Sequence, residues 1–264
     1  MEALELNKIF IVFFAATGIS TFRYLLFAGI AFSLFWILLK NKLHHRWIQQ
    51  DRVQDNSKIR HEIKYSLMTM LVFGCAGVLI YTMKSLGWTM LYKDISEYGL
   101  PYFFFSLLAL ILFHDTYFYW THRLMHHPKL FKKMHLTHHI STNPSPWAAF
   151  AFNPYEAVVE AGIVPIAVLL FPLHGLTILL FLIYMTFLNV LGHLAFELFP
   201  KNFLRNPIFK WHNTSTHHNM HHRYFHCNYG LYFNWWDRWM GTNHENYQAT
   251  FETVTSREKT QTGV

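Results

Sequence analysis

Residues 99–139 read GLPYFFFSLLALILFHDTYFYWTHRLMHHPKLFKKMHLTHH, and the two halves of this stretch have opposite chemistry. Residues 99–114 carry no charge, and the helical pattern continues past Asp115. A bilayer core needs about 20 mostly apolar residues in a helix, so this run reads as a membrane span. Residues 122–139 then hold six histidines, placed where such a helix would emerge.

The same alternation extends outward. Residues 24–39 are uncharged and follow an apolar run over 9–17, and residues 65–83 are uncharged. Two further runs, 161–173 and 176–196, are separated only by His174-Gly175. The expectation is five spans. Composition agrees: of 264 residues, 52% are hydrophobic and 14% charged, against about 45–50% and about 25% in typical soluble domains. The mean hydropathy of +0.14 averages apolar spans with long polar stretches. Disordered, collagen-like and nucleic-acid-tail classes are excluded on this composition. Two cysteines, not in C-x-x-C, exclude a disulfide scaffold, a thiolate zinc finger and an Fe–S cluster.

Charge gives a direction. Residues 40–64 hold seven Lys or Arg, residues 122–156 add Arg123, Lys129, Lys132 and Lys133, and the chain from 197 onward adds seven more. The opposite side keeps Lys8, Arg23, Lys84 and Lys93. Every histidine-rich segment then falls on the cytoplasmic side, and the net charge of +7 reads as loops facing anionic lipid, with no nucleic acid as partner. The first apolar run lacks a positive start and a small-residue cleavage site, so no cleavable signal is expected. Short termini without a C-terminal retrieval signal point to a bacterial inner membrane rather than an endoplasmic reticulum. The organisation is a two-span anchor over 1–98 with no candidate chemistry, a functional unit over 99–244, and a tail over 245–264. The fold class is all-α: a polytopic membrane helix bundle with a cytoplasmic helical cap carrying a histidine-rich di-metal site.

Fifteen of the 19 histidines lie between His114 and His226. His122 and His126 are an i, i+4 pair, with His127 beside them. His135, His138 and His139 form H-x-x-H-H, repeated as His218, His221 and His222. Positions i, i+3 and i+4 share a helical face, so each triplet is expected to converge. His127 points away on a regular helix, but Pro128 disfavours helical geometry there and lets its ring swing inward. His193 ends the last apolar run, at a depth where ionisable groups are functional candidates. Imidazoles packed without a ligand would leave ring nitrogens desolvated, so metal is expected. Nine or ten rings exceed the four of a closed zinc site, implying two ions. Imidazole suits iron, zinc, copper and nickel alike. Neutral ligands compensate little of a divalent pair's charge. Asp115, seven residues before His122, and Glu197, one turn past His193, are the candidate catalytic carboxylates. Each is placed to orient a ligand ring, or to act as a helix cap. His44, His45, His61, His174 and His244 stand apart, and His114, His212, His217 and His226 adjoin the groups without completing a triplet.

The three boxes, H-R-x-x-H at 122–126 and H-x-x-H-H at 135–139 and 218–222, resemble those of the fatty acid hydroxylase/sterol desaturase superfamily. The flanks match as well: Phe118-Tyr119-Trp120, Asn143-Pro144, Asn153-Pro154, Asn228-Tyr229-Gly230, Trp236-Asp237-Arg238 and Gly241-Thr242. The resemblance covers 107–243. It implies a membrane di-iron oxygenase, with two irons per chain, that hydroxylates or desaturates a lipid entering from the bilayer. Some relatives place two histidines where this chain has His193 and Glu197. The chain contains no Gly-x-Gly-x-x-Gly and no haem motif, so reducing equivalents are expected from an external electron donor, a separate redox protein docking around Lys129, Lys132, Lys133 and Lys201. Two other readings compete. A zinc-dependent membrane hydrolase would want few ligands and a base such as Glu197 or Glu156. A non-enzymatic metal transporter or store would place ionisable groups along a path through the spans, whereas here they collect at one end.

Overall fold

The computed structural model describes residues 6–51 and 56–258. Among the described residues, four helices are long and apolar enough to cross a membrane: Leu6–Leu38, Ser57–Ser85, Gly99–Met125 and Gly175–Gly192. The chain is a multi-pass membrane protein. The first of these is α1 (Leu6–Ala31) continued by a π-helical turn, Phe32–Leu38. It is followed by α2 (Asn56–Ser85), a two-residue strand β1 (Leu91–Tyr92) and α3 (Gly99–Met125). Lipid-facing side chains account for the exposed Phe10, Ile11, Phe14 and Phe22 on α1 and Phe104 and Phe105 on α3.

The run at 161–173 is not a single span. It lies across two short helices, α6 (Pro154–Ala161) and α7 (Ile163–Leu170), which break at Gly162. Pro165 has no N–H to donate to the Ala161 carbonyl, so the ladder cannot continue through this turn. Instead Gly162 N–H tightens onto the Val159 carbonyl at 3.0 Å, and the Tyr117 hydroxyl donates to the same oxygen at 2.7 Å. Residue 171, before Pro172, is extended, which ends α7. The broken pair still runs the length of the bundle. At one end Phe152 lies 5.4 Å from the His138 ring. At the other, β2 (Leu173–His174) pairs in parallel with β1. Four long helices and one broken segment thus stand where five unbroken spans were expected, and α8 (Gly175–Gly192) returns the chain to the first end.

At that end the helix termini are tied together. The Trp36 indole donates to the Leu194 carbonyl at 2.9 Å, and Ile48 N–H to the Ala195 carbonyl at 3.0 Å. Glu62 of α2 accepts from Ser145 N–H at 3.3 Å and from the Ser145 hydroxyl. Here the chain builds its cap from α4 (Pro128–Met134), α5 (Leu136–His139), α9 (Ser215–Tyr224), α10 (Trp235–Trp239) and α11 (Tyr247–Ser256). Tyr247 and Phe251 of α11 are buried with Leu204 and Met220, so the chain beyond 245 is packed at least to 256.

In lipid, helices gain little from the hydrophobic effect and associate through close packing of small residues. The α1–α2 contact follows this rule: a Cβ on Gly77 would lie 2.6 Å from Ala16 Cβ, and one on Gly74 would collide with Thr17. Gly77→Leu is therefore expected to force the helices apart and cost about 1–3 kcal/mol by overpacking. Gly18→Leu, where a Cβ meets nothing within 4 Å, is expected to be neutral. Thermal unfolding of the detergent-purified variants checks this, and equal midpoints would refute the contact.

Candidate metal centre

Nine imidazoles meet at the capped end of the bundle in two groups. His122, His126, His135, His139 and His221 form one, and His138, His193, His218 and His222 the other, with ligand atoms in each within 4.8 Å of one another. The rings of His139 and His222 are 4.7 Å apart and those of His135 and His138 5.2 Å, so the groups abut.

Each H-x-x-H-H box divides between the groups, where convergence of a whole triplet was expected. Positions i and i+4 go to one group (His135 with His139; His218 with His222) and i+3 to the other (His138; His221). The reason is helical pitch: i+3 and i+4 fall about 100° apart, on opposite flanks of the stripe. One turn of helix thus bridges two sites.

Backbone carbonyls fix the ring orientation. His122 Nδ1 meets the Tyr229 carbonyl at 2.8 Å, His193 Nδ1 that of Asn189 at 2.7 Å, His221 Nδ1 that of Cys227 at 2.7 Å and His222 Nδ1 that of Ser141 at 2.9 Å. A carbonyl only accepts, so these Nδ1 atoms carry the protons and each Nε2 presents a lone pair. His135 Nδ1 meets Glu156 Oε1 at 2.7 Å, a contact in which a carboxylate accepts the ring proton and a protonated carboxyl donates one. Yet His122 Nε2 lies 2.9 Å from His135 Nε2, and His222 Nε2 3.3 Å from His193 Nε2. Two lone pairs at that separation repel. A second proton on any ring does not relieve them, because burial pushes the imidazoles down: His193 to about 4, and His135, His139, His218 and His222 well below the ordinary range, each helped by its neighbours' charge. A cation between them would satisfy the arrangement. Ligand nitrogens about 2.1 Å from a common ion and at right angles are about 3.0 Å apart. The contacts His221–His139 at 3.0 Å, His218–His193 at 3.0 Å and His222–His218 at 3.1 Å fit that spacing. The nine residues therefore fit two histidine-held metal ions, and neither group contains a carboxylate.

His127 is outside both groups. Pro128 does take it out of the α3 helix, but the extended residue becomes the N-cap of α4. Its exposed ring accepts Lys129 N–H through Nδ1 at 3.3 Å. His126, still in the helical region, keeps the i+4 position, its ring 5.1 Å from His122. Neither expected carboxylate orients a ring. Asp115 accepts Tyr232 N–H at 2.9 Å and Phe233 N–H at 3.2 Å, pinning a loop to α3. Glu197 accepts Phe199 N–H and Thr216 N–H, each at 3.0 Å, and the Thr216 hydroxyl at 2.7 Å, capping the start of α9. Burial raises Glu197 above the usual carboxylate range, against the pull of these donors. His114, His212, His217 and His226 lie outside the groups, as do His44, His45, His61, His174 and His244.

Two residues do what those carboxylates were expected to do. Glu156 holds His135, and among the described residues it is the carboxylate hydrogen-bonded to a ring of either group. Asp237 accepts Tyr229 N–H and Gly230 N–H, both at 2.8 Å, and the Thr242 hydroxyl at 2.7 Å. It thereby fastens the loop whose Tyr229 carbonyl holds His122. The loop approaches so closely that a Cβ on Gly230 would strike the Phe233 carbonyl and lie 2.9 Å from Asp237 Oδ2. Their signals were the Asn153-Pro154 helix start two residues before Glu156 and the Trp236-Asp237-Arg238 flank.

The fatty acid hydroxylase family profile matches residues 107–242, which include every residue of both groups. The chain belongs to the fatty acid hydroxylase family. Within the wider fatty acid hydroxylase/sterol desaturase superfamily, it is 31% identical over 187 residues to a Delta(7)-sterol 5(6)-desaturase of Gibberella zeae, covering 71% of this chain and 56% of the relative. A Delta(7)-sterol 5(6)-desaturase of Aspergillus fumigatus is 31% identical over 207 residues, covering 71% of this chain and 63% of that protein. Lathosterol oxidase of Homo sapiens is 31% identical over 184 residues, covering 69% and 60%. The chain spans 56–63% of the length of these three relatives. All three are eukaryotic, which lends no support to a bacterial inner membrane. No solved structure matches the chain.

Metal content separates the ring assignments. His138→Ala is expected to lose at least one metal equivalent and His127→Ala none, measured by elemental analysis of purified protein. Glu156→Gln, which weakens the hold on the His135 proton, is expected to lower metal affinity about 10–100-fold. Full retention in His138→Ala would break the assignment.

Proposed function

We propose that the chain is a membrane lipid oxidoreductase. It removes hydrogen from a sterol-like or fatty-acyl lipid in an O2-dependent reaction at a pair of histidine-held iron ions. The observation that carries this reading is the convergence of nine neutral imidazoles into two abutting groups where apolar helices end. The relatives' names supply the substrate class, a sterol, and favour desaturation.

A bound iron pair supplies O2 reduction and removal of hydrogen from an unactivated carbon. The chain's residues do the rest. Carbonyls of Tyr229, Asn189, Cys227 and Ser141 hold four rings with Nε2 inward. Nine neutral rings would compensate little of the charge of two bound dications, and so would favour their reduced state. Phe152 beside His138 and the buried Phe150 wall off water on the membrane side. Desaturation converts –CH2–CH2– with O2, two electrons and two protons into –CH=CH– and two waters. Hydroxylation consumes the same electrons and protons and leaves one water. Either way two electrons come from outside the chain. We assign the histidine end to the cytoplasmic side by the Lys and Arg excess, and place a separate redox protein on the exposed Lys129, Lys132 and Lys133 of α4. That helix starts at the His127 cap and ends at the ligand His135.

Two irons per chain are expected in protein purified in detergent, together with oxygen uptake that requires a chemical or protein reductant and rises on adding lathosterol. A single zinc per chain, or no oxygen consumption with any donor, would overturn the reading.

A further inference from the structure

A cavity of about 200 Å³ lies within the membrane-spanning part of the bundle, between α1, α2, the end of α6, α7 and α8. That exceeds the apolar cavity of about 150 Å³ that admits benzene. Its walls are apolar, with Ile80, Val164, Ile178, Leu182 and Met185 among them, and it reaches the lipid-facing surface at Ile19, which is 59% exposed. Three polar side chains also line it: Ser20, Arg23 and Glu160. Half of the wall belongs to α1 and α2, which lie outside the residues matched by the family.

The polar residues collect at one end. Arg23 donates Nε–H to the Thr186 hydroxyl at 2.8 Å, one turn before Asn189, whose carbonyl holds His193. Glu160 follows Glu156, which holds His135, by one helical turn of about 6 Å. The apolar end, at Ile80 and Ile178, points towards the paired strands β1 and β2. Ionisable groups at bilayer depth are costly unless they bind something. Among the described residues, the Glu160 carboxylate has no hydrogen-bond or ion-pair partner, and the terminal nitrogens of Arg23 have none either. Arg23 offers N–H donors and the Glu160 carboxyl offers an acceptor. That lining suits a neutral group able both to donate and to accept.

We propose that this cavity is a lipid-binding site that takes an apolar lipid by its single hydroxyl, with Glu160 and Arg23 as the hydroxyl's partners and the apolar body lying along α1, α2, α7 and α8. The N-terminal spans are thus part of the recognition surface. The occupant's role as substrate rests on the lipid-oxidation reading; its binding does not, so the two fail separately.

Binding of tritiated cholesterol to the purified metal-loaded protein in detergent tests the site, with 5α-cholestane and cholesteryl sulfate as competitors. Cholestane lacks the hydroxyl and is expected to compete at least tenfold more weakly than unlabelled cholesterol. Glu160→Leu is expected to abolish that difference, while Glu160→Gln, which keeps an acceptor, retains it. Ala76→Phe fills the cavity and is expected to abolish cholesterol binding. Ile178→Trp makes the same test from α8 should the first variant not fold. Equal competition by cholestane, stronger competition by the sulfate, or unchanged binding in a folded cavity-filled variant would each overturn the proposal. Metal content and oxygen uptake, measured on the same preparations, report on the oxidoreductase reading independently.

Discussion

The structure depends on one electrostatic constraint: imidazole lone pairs forced to face one another in a space closed to water. Protons cannot resolve it, since burial disfavours the imidazolium and the carbonyls of Tyr229, Asn189, Cys227 and Ser141 already hold the Nδ1 protons. The cap follows from this requirement. Asp237 fastens the 229–230 loop so that one carbonyl reaches His122, Glu62 fastens Ser145 close to the loop carrying the Ser141 carbonyl, and Glu197 secures the start of α9. Carboxylates at these places act one bond removed from the candidate ligand rings, through the backbone that orients them.

The membrane helices meet a different constraint. Their backbone groups must be satisfied within the segment, which leaves helix as the economical form for a spanning segment. Their packing uses small residues at Gly74 and Gly77 rather than large apolar ones. Helices built this way hold their ends at fixed positions, and α3 and α8 each end on rings of the two groups: His122 and His126 for the first, His193 for the second. The kink at Gly162 fits the same logic. It sets Glu156 beside His135 on one side of the break and an apolar segment along the bundle on the other.

Much of this was legible in the chain because its signals are local. Spacing of three and four residues named eight of the nine rings, and His193 stood out by depth. The splitting of each box between two groups was also implicit in the 100° step, but faces are usually read as single stripes, and that reading hid it. What sequence could not show depends on distant partners. Asp115 meets donors 117 and 118 residues away, at Tyr232 and Phe233. Glu197 serves the turn of α9 rather than the nearby His193. Pro128 signalled a break at His127 correctly, yet whether a freed ring turns inward or caps the next helix depends on where that helix starts. The five-span expectation counted apolar length and passed over Pro165, whose missing N–H divides the fourth segment.

These two constraints have different dependence on metal, which bears on how the molecule holds together. The long helices are stabilised by contacts that involve no ion, such as α1 against α2 and the Trp36 bond to Leu194. The cap segments are short: α5 has four residues and α4 seven. Helices of that length are not stable alone. Their side chains bury little apolar surface; they bury imidazoles, which repel one another unless a cation lies among them. Metal binding energy would therefore be folding energy for α5 and its junction with α4, and not for the spans or for α9 and α11, which share an apolar cluster. The division would tie the ordering of α5 to a bound metal, while the lipid-facing bundle, with the cavity between α1 and α8, stands independently of it.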